Sequence, residues 1–233
     1  MRPLIAVLGV LAFAVIATVA SLPRASAQVA APEPTERPRH TSIPGTGWTI
    51  APERVNPPRT RLVSGFVLPI RGAAVPVSDA MLPDAAREYR AGWHEGIDFP
   101  APAGTPVLAA KAGVITRIDH DFTDWGPAEM EAALAEARVL GHTPEAILDR
   151  IRGRQVWIDH GGGVVTRYAH LESVAALPLG AHVAAGEVVG AVGSSGYPPG
   201  GPHLHFEIRV DDVYLGEGLT PRELARALRL AFD

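Results

Sequence analysis

The chain has 233 residues, of which 47% are hydrophobic, 20% charged and 6% aromatic. This length suits one domain with a sizeable core, and the composition excludes a fully disordered chain, a collagen-like repeat and a polytopic membrane protein. Cysteine is absent, which excludes disulfides, thiolate metal sites and a cysteine nucleophile. Any metal ion must therefore be held by His, Asp or Glu. A formal net charge of −4 gives no general attraction to nucleic acid or to anionic membranes.

The first 27 residues have the layout of a secretory signal peptide. An apolar run over residues 4–20 follows Arg2 and precedes Ala25-Ser26-Ala27, a small-residue pattern after which we predict cleavage. The alternative is an uncleaved anchor, which would hold the protein at a membrane, although the run is shorter than the roughly 20 residues of a spanning helix. Both interpretations place the rest of the chain outside the cytoplasm, periplasmic or secreted.

Residues 28–60 are predicted to form an extension or linker. The segment contains seven prolines and no sustained apolar period, so it cannot bury enough surface to offset the entropy of ordering it. The alternative is an arm that lies over the following domain and covers a groove. Residues 61–233 are predicted to form that domain.

The domain is predicted to be mainly β, an antiparallel sheet of short strands. In chain order, strands are expected at 66–68, at both ends of 105–118, in a hairpin over 156–171 and in a second hairpin over 183–192. Further on, Leu204, Phe206 and Ile208 alternate with polar residues, which predicts a strand with one buried and one visible face.

Three helices interrupt or close this β pattern. Between about residues 119 and 154, apolar residues at helical spacing predict a first helix. Thr143 as N-cap with Pro144 at the first position is typical of the start of a second one. We therefore expect an inserted helical hairpin. Thr220 and Glu223 have capping-box spacing, which predicts the start of a C-terminal helix.

The nine histidines divide into two groups. Five lie beside loop residues or helix ends and are predicted to be solvated: His40, His120, His142, His160 and His182. The remaining four have motif-like surroundings: His94, His170, His203 and His205.

Spacing allows a metal site among this second group. His203 and His205 lie two residues apart, which on a strand places both rings on one face. His94 and Asp98 would be roughly 13 Å apart on a straight strand, too far to share an ion, so the chain must bend, and Gly96 is where it can. One His, one Asp and a distant His give three ligands with an open fourth position, as in catalytic zinc sites. A chance His and Asp in a loop remains the alternative.

The residue types in three motifs indicate a particular protein family more specifically than the spacing of the histidines does. They are His94-x-x-x-Asp98, Tyr168-Ala169-His170-Leu171 and Gly201-Pro202-His203-Leu204-His205-Phe206-Glu207. In this order they resemble the signatures of lysostaphin-type (LytM-domain) zinc metalloendopeptidases, which cut the peptide part of bacterial peptidoglycan. The resemblance runs from about residue 66 to residue 209.

The resemblance implies a LytM-like fold and a site for Zn²⁺. His94, Asp98 and His205 would be the zinc ligands, and His170 and His203 the two catalytic histidines. We favour His203 as the general base, but the sequence leaves the division of roles open. The implied substrate is a peptidoglycan cross-link or stem peptide, and the bond cut is open as well. The protein is expected to be a monomer, with a cell-division or regulatory protein as a further partner.

The inserted hairpin departs from the family pattern. The loop that ends near residue 154 is usually short in these enzymes and borders their substrate groove, so we expect the insertion to narrow or regulate access. The main alternative function is a non-catalytic LytM-type regulator that activates a cell-wall amidase, as in relatives that lack zinc ligands. A biotinyl- or lipoyl-type carrier is disfavoured because the candidate turn, residues 180–188, contains no lysine.

Overall fold

The computed structural model describes residues 60–233. The predicted signal segment, nearly all of the proline-rich extension and His40 lie outside the described residues. Within the described part the chain forms the following helices and strands: β1 (Ala86–Arg87), β2 (Gly92–Trp93), β3 (Ile97–Pro100), β4 (Pro106–Leu108), β5 (Gly113–Ile118), α1 (Pro127–Leu140), α2 (Glu145–Arg152), β6 (Val156–Asp159), β7 (Val164–Ala169), β8 (Leu171–Val174), β9 (His182–Val183), β10 (Val188–Val192), β11 (His203–Val210), β12 (Val213–Tyr214) and α3 (Pro221–Ala231).

The strands form two main antiparallel sheets. The larger has the order β12-β11-β7-β6-β5-β9, with β3 also paired to β11, and the smaller has the order β4-β10-β8. Apolar residues of both sheets form one core, in which Val107, Ile158 and Phe206 have no measurable exposure. The predicted mainly β, antiparallel domain is confirmed.

The insertion is a helical hairpin, as predicted, with a small core of its own. Trp125, Leu134, Ile147 and Ile151 are buried together, because apolar residues three or four apart share one face of a helix. The predicted cap is wrong. Thr143 does not cap α2 but donates its hydroxyl proton to the carbonyl of Arg90 at 2.6 Å, which ties the insertion to the segment before the predicted metal site.

Two of the predicted strands are corrected by the structure. Residues 66–68 form no strand, because the amide of Phe66 donates to Ala231 O and that of Val67 to Ala110 O, each in a different element. Residues 183–192 form no hairpin either, because β9 pairs with β5 whereas β10 pairs with β4 and β8. Local alternation predicts a strand but not its partner, which depends on the whole sheet.

The C-terminal helix α3 is confirmed, including its capping box between Thr220 and Glu223. Its apolar face, with Leu224 and Leu228, packs into the main core. None of the helices among residues 60–233 combines the length and the hydropathy needed to cross a bilayer.

Candidate metal centre

Three side chains predicted to share an ion meet at one point of the larger sheet. His94 Nε2 lies 2.9 Å from Asp98 Oδ1 and 3.0 Å from His205 Nδ1, and the latter two atoms are 2.9 Å apart. One ligand atom from each of the three residues lies within 4.8 Å of the other two, close enough for all three atoms to bind the same metal ion. Among residues 60–233, this is the group of His, Asp and Glu side chains with such spacing.

The sheet register accounts for this convergence. β3 pairs with β11 so that Asp98 lies directly opposite His205, and directly opposed residues have Cα atoms about 4.5–5.5 Å apart. The chain bends at Gly96, as predicted, and brings His94 back over the same position. A Cβ at Gly96 would lie 2.4 Å from the carbonyl oxygen of Phe206, so only glycine allows β3 to approach β11 this closely.

The hydrogen bonds of the two imidazoles leave one lone pair each for a cation. His94 Nδ1 lies 2.8 Å from Leu82 O and must donate to it, since a carbonyl only accepts. His205 Nε2 lies 3.2 Å from the Glu207 carboxylate and donates likewise. In the neutral tautomers that carry the proton on these outer nitrogens, the inward-facing atoms, His94 Nε2 and His205 Nδ1, are acceptors in contact with each other and with Asp98. Three acceptors with no donor between them fit a divalent cation that takes nitrogen and oxygen ligands, as zinc does.

The electrostatics of the ligands agree with this interpretation. Burial lowers the pKa of His94 to about 4, so its ring is neutral at neutral pH. Burial would raise the pKa of Asp98, but its close contacts with the His205 and His94 rings hold it well below its usual value, so the carboxylate is ionised. Burial would lower the pKa of His205, but Asp98 and Glu207 raise it. The surroundings of His205 thus favour a positive charge at this point.

The other two predicted site residues, His170 and His203, lie beside the ligands. Their ring centroids are 4.7 Å apart, and His203 Nε2 lies 3.8 Å from Asp98 Oδ1. Both Nδ1 atoms donate to backbone carbonyls, of Ser195 and Gly201 respectively, each at 2.8 Å. Both rings therefore present Nε2 as an acceptor. Burial lowers the pKa of His170 to about 3, which keeps that ring neutral.

His170 is held in an unusual backbone conformation. It lies between β7 and β8 with φ of 59°, the left-handed region that non-glycine residues seldom adopt. Its amide donates to the carbonyl of Arg152, at the end of α2, at 2.8 Å. Such conformations persist where surrounding contacts fix them and are concentrated at functional sites. The end of the inserted hairpin therefore takes part in fixing the position of the His170 ring.

Beyond His203, which is partly exposed, the polar face of β11 is not visible to solvent, which corrects the prediction of a half-buried strand. His205, Glu207 and Arg209 are all buried, and their charges are balanced by residues from other elements. Glu207 Oε1 accepts from Arg152 Nε at 2.7 Å, and Glu207 Oε2 accepts from Arg209 Nε at 2.7 Å. Glu95 accepts from both arginines. We call these four residues, Glu95, Arg152, Glu207 and Arg209, the buried ionic cluster.

No motif in the sequence predicts this cluster. Burial would raise the pKa of Glu207, but Arg152 and Arg209 hold it well below its ordinary value, so the carboxylate is charged inside the protein. One local signal was present, because an acid two residues after His205 lies on the same strand face as the ligand. No local signal pointed to Arg152, which comes from the inserted hairpin.

The site opens into a cleft of about 370 Å³. All five predicted site residues line it: His94, Asp98, His170, His203 and His205. Tyr89, Tyr197 and three residues of α2, Leu148, Ile151 and Arg152, complete the wall. Tyr89 and Tyr197 are stacked with ring centroids 5.0 Å apart. The inserted hairpin therefore forms part of the cleft wall.

His160 is not simply solvated, contrary to the prediction. Its Nδ1 bonds to Ala112 O at 2.9 Å and its Nε2 to the Thr166 hydroxyl at 2.8 Å. Its ring also meets Phe66 edge-on. It is a structural histidine because the strands around the 160–163 turn enclose it.

Comparison with known proteins agrees with the motifs. Residues 131–216 match the sequence model of Peptidase family M23, a range that contains His170, His203 and His205 but not His94 and Asp98. The chain is 36% identical over 142 residues to the DD-carboxypeptidase/endopeptidase Mpg of Neisseria meningitidis serogroup B, covering 60% of this chain and 26% of that protein.

Two further relatives are more distant. The peptidoglycan DD-endopeptidase ShyC of Vibrio cholerae is 27% identical over 121 residues, covering 52% of this chain and 21% of that protein. The cell division protein DipM of Caulobacter vibrioides is 28% identical over 173 residues, covering 72% of this chain and 22% of that protein. The chain thus matches about a quarter of the length of these relatives. In its motifs and in these matches, the chain is similar to peptidase family M23, the lysostaphin/LytM-type family.

Proposed function

We propose that the protein is an extracytoplasmic zinc metalloendopeptidase that hydrolyses peptide bonds in peptidoglycan cross-links or stem peptides. The observation that carries this proposal is the convergence of three atoms able to bind a metal ion, on His94, Asp98 and His205, beside two further histidines at the cleft. Peptidoglycan as substrate is supported by the relatives Mpg and ShyC, whose names describe them as endopeptidases.

In this proposal His94 Nε2, Asp98 Oδ1 and His205 Nδ1 would hold the ion at the cleft. When bound, zinc would supply a water of lowered pKa and would polarise the scissile carbonyl. Two neutral imidazoles and one carboxylate match the ligand set of catalytic zinc sites.

The two remaining histidines supply proton transfer. His203 Nε2 is an acceptor whose ring is oriented by the bond from Nδ1 to Gly201 O. It can take a proton from the attacking water and return one to the leaving amine. His170 Nε2 is buried more deeply, and its neutral ring can support the proton transfer or, once protonated, stabilise the developing negative charge. We propose His203 as the general base because its ring is the more exposed of the two.

The alternative of an amidase-activating regulator is supported by no observation at this site. All five predicted site residues are present and assembled, whereas a regulator needs no such arrangement. A monomer that works with a cell-division or regulatory protein remains our expectation, and the relative DipM, named a cell division protein, supports such a partner.

The test is mass analysis of peptides released from purified peptidoglycan sacculi by the purified chain, with zinc content measured in parallel. We expect bound zinc and new peptide ends, and the ends identify the bond cut. His203→Ala should lower the rate by about 10²–10⁴-fold, the usual contribution of a general base, without loss of zinc. His182→Ala, a histidine exposed on β9, is the matched control and should leave the rate unchanged. A protein that binds no zinc and releases no peptide would contradict the proposal.

A further inference from the structure

One charged side chain of the inserted helical hairpin, that of Arg152, is buried next to the predicted metal site. Arg152, the last residue of α2, is 2% exposed. Its guanidinium donates to Glu207 and Glu95, both buried, and to Glu145 at the surface. A buried arginine with three carboxylate partners is fixed in position, because leaving any of these charges unpaired inside the protein is costly.

One of these contacts leads directly to a predicted zinc ligand. Glu207 Oε1 accepts from Arg152 Nε at 2.7 Å and from His205 Nε2 at 3.2 Å. The carboxylate oxygen that orients the His205 ring is thus the oxygen that Arg152 holds. Carboxylates that accept from the outer nitrogen of a ligating histidine fix its tautomer and orientation and raise its basicity.

The neighbouring arginine provides a contrast. Arg209 lies on β11 and belongs to the same buried ionic cluster, but it contacts Glu207 through Oε2 at 2.7 Å. Its other contacts are with Glu95 and with Asp212 O. Arg209 therefore compensates the charge of Glu207 without touching the oxygen that binds His205.

We propose that Arg152 is a positioning residue for the metal site, acting on His205 through Glu207, and that the inserted hairpin is thereby a structural part of the site in addition to a wall of the cleft. The inference deepens the proposed function and rests on it, because it takes His205 as a zinc ligand. The backbone of the same residue accepts from His170 N, so one end of α2 contacts both halves of the site. Since that second contact involves only the backbone, side-chain variants of Arg152 preserve it.

The test compares Arg152→Lys and Arg152→Gln with Arg209→Lys in the full chain. Zinc affinity is measured by competition with a chromophoric chelator, and the visible spectrum of the Co²⁺-loaded protein reports ligand geometry. Denaturant unfolding of the metal-free protein measures stability. All assays contain trimethylamine N-oxide, which favours the folded state, so that a destabilised variant can still be assayed.

We expect both Arg152 variants to weaken zinc binding by up to about 10–100-fold, the usual effect of losing the outer partner of a ligating histidine, because Glu207 is no longer held, and to change the Co²⁺ spectrum. Arg209→Lys should be destabilised as well, yet bind zinc with an affinity near that of the wild type. Wild-type zinc affinity and spectrum in the Arg152 variants would overturn the inference, and so would an equal loss in Arg209→Lys. If the wild-type chain itself binds no zinc, the proposed function fails first, and the two failures are thereby distinguished.

Discussion

Two ion-pair clusters fasten the same helix, α2, to the β-sheet, and they differ mainly in burial. On the outside, Arg117 of β5 bonds both oxygens of Asp119 and both oxygens of Asp149. Arg117 and Asp149 are 26% and 39% exposed. On the inside, Arg152 joins the buried ionic cluster, where Glu207 has no exposure.

Similar ion pairs therefore differ in how much they contribute to stability and in how firmly they fix the geometry around them, depending on whether they are exposed or buried. Outside, water can replace each partner, so the pairs contribute modestly and can be exchanged. Inside, the charges are almost fully removed from solvent, so each charge depends on its partners and the geometry is fixed. Only the inner cluster contacts a predicted metal ligand. We therefore expect variants of the inner cluster to affect both stability and the metal site, and variants of the outer cluster to affect stability alone.

The largest effect is expected for Glu207→Gln. This variant leaves Arg152 and Arg209 with a single buried carboxylate, Glu95, so the free energy of unfolding should fall by about 3–5 kcal/mol, as measured by urea denaturation of the metal-free protein. Asp119→Asn in the outer cluster is the matched control and should cost about 1 kcal/mol or less. If the free energy of unfolding fell equally in the two variants, burial would not explain the expected difference between the inner and outer clusters.

A smaller effect is expected for Arg117→Gln. Loss of both outer pairs should lower the free energy of unfolding by about 1 kcal/mol, with zinc affinity unchanged. Because the outer charges are accessible to ions, the difference from the wild type should shrink in about 1 M salt, where the screening length is about 3 Å. Denaturation at low and high salt tests this. If the difference in the free energy of unfolding did not depend on salt, the outer ion pairs would not be accessible to ions as proposed.

The smallest effect is expected for Asp149→Asn, and it should depend on pH. Burial would raise the pKa of Asp149, but the hydrogen bond from Arg117 lowers it below the ordinary value of 3.8. A carboxyl whose pKa is lower in the folded protein stabilises it above the unfolded value, and this stabilisation is lost as the pH falls through the folded value.

The stability difference between the wild type and Asp149→Asn should therefore be constant near neutral pH, at about 1 kcal/mol or less, and disappear below pH 3.8. Denaturation across this pH range measures it. A difference that grows on acidification would mean that the sign of the pKa shift is wrong.

Much of the fold could be predicted because its signals are local. The alternation around Phe206, the turn at 160–163 and the capping box at Thr220 each predict an element from neighbouring residues, and each element is present. The hairpin predicted over 183–192 failed because strand pairing is a long-range property. The two-residue strand β9 pairs with β5, which lies far from it in the sequence, and not with its neighbour β10.

The site, too, has residues that local motifs predict and residues that depend on long-range contacts. His94, Asp98, His170, His203 and His205 could be named from motifs, and the structure brings all five to one cleft. Their roles as ligands and bases remain predictions. Glu95 and Arg152 could not be named, because their importance depends on partners more than 50 residues away in the chain.

The sequence by itself determined the β pattern, the three helices, the family motifs and the residue types available to hold a metal ion, because each of these depends on neighbours within a few positions. Only the tertiary structure decided that the polar face of β11 is buried from His205 to Arg209, that Asp98 stands opposite His205, and that an inserted helix ends beside the site. The physical reason is that burial and pairing depend on the partners a residue meets after folding. A charge such as that of Glu207 is tolerated in the interior only where distant segments supply its counter-charges.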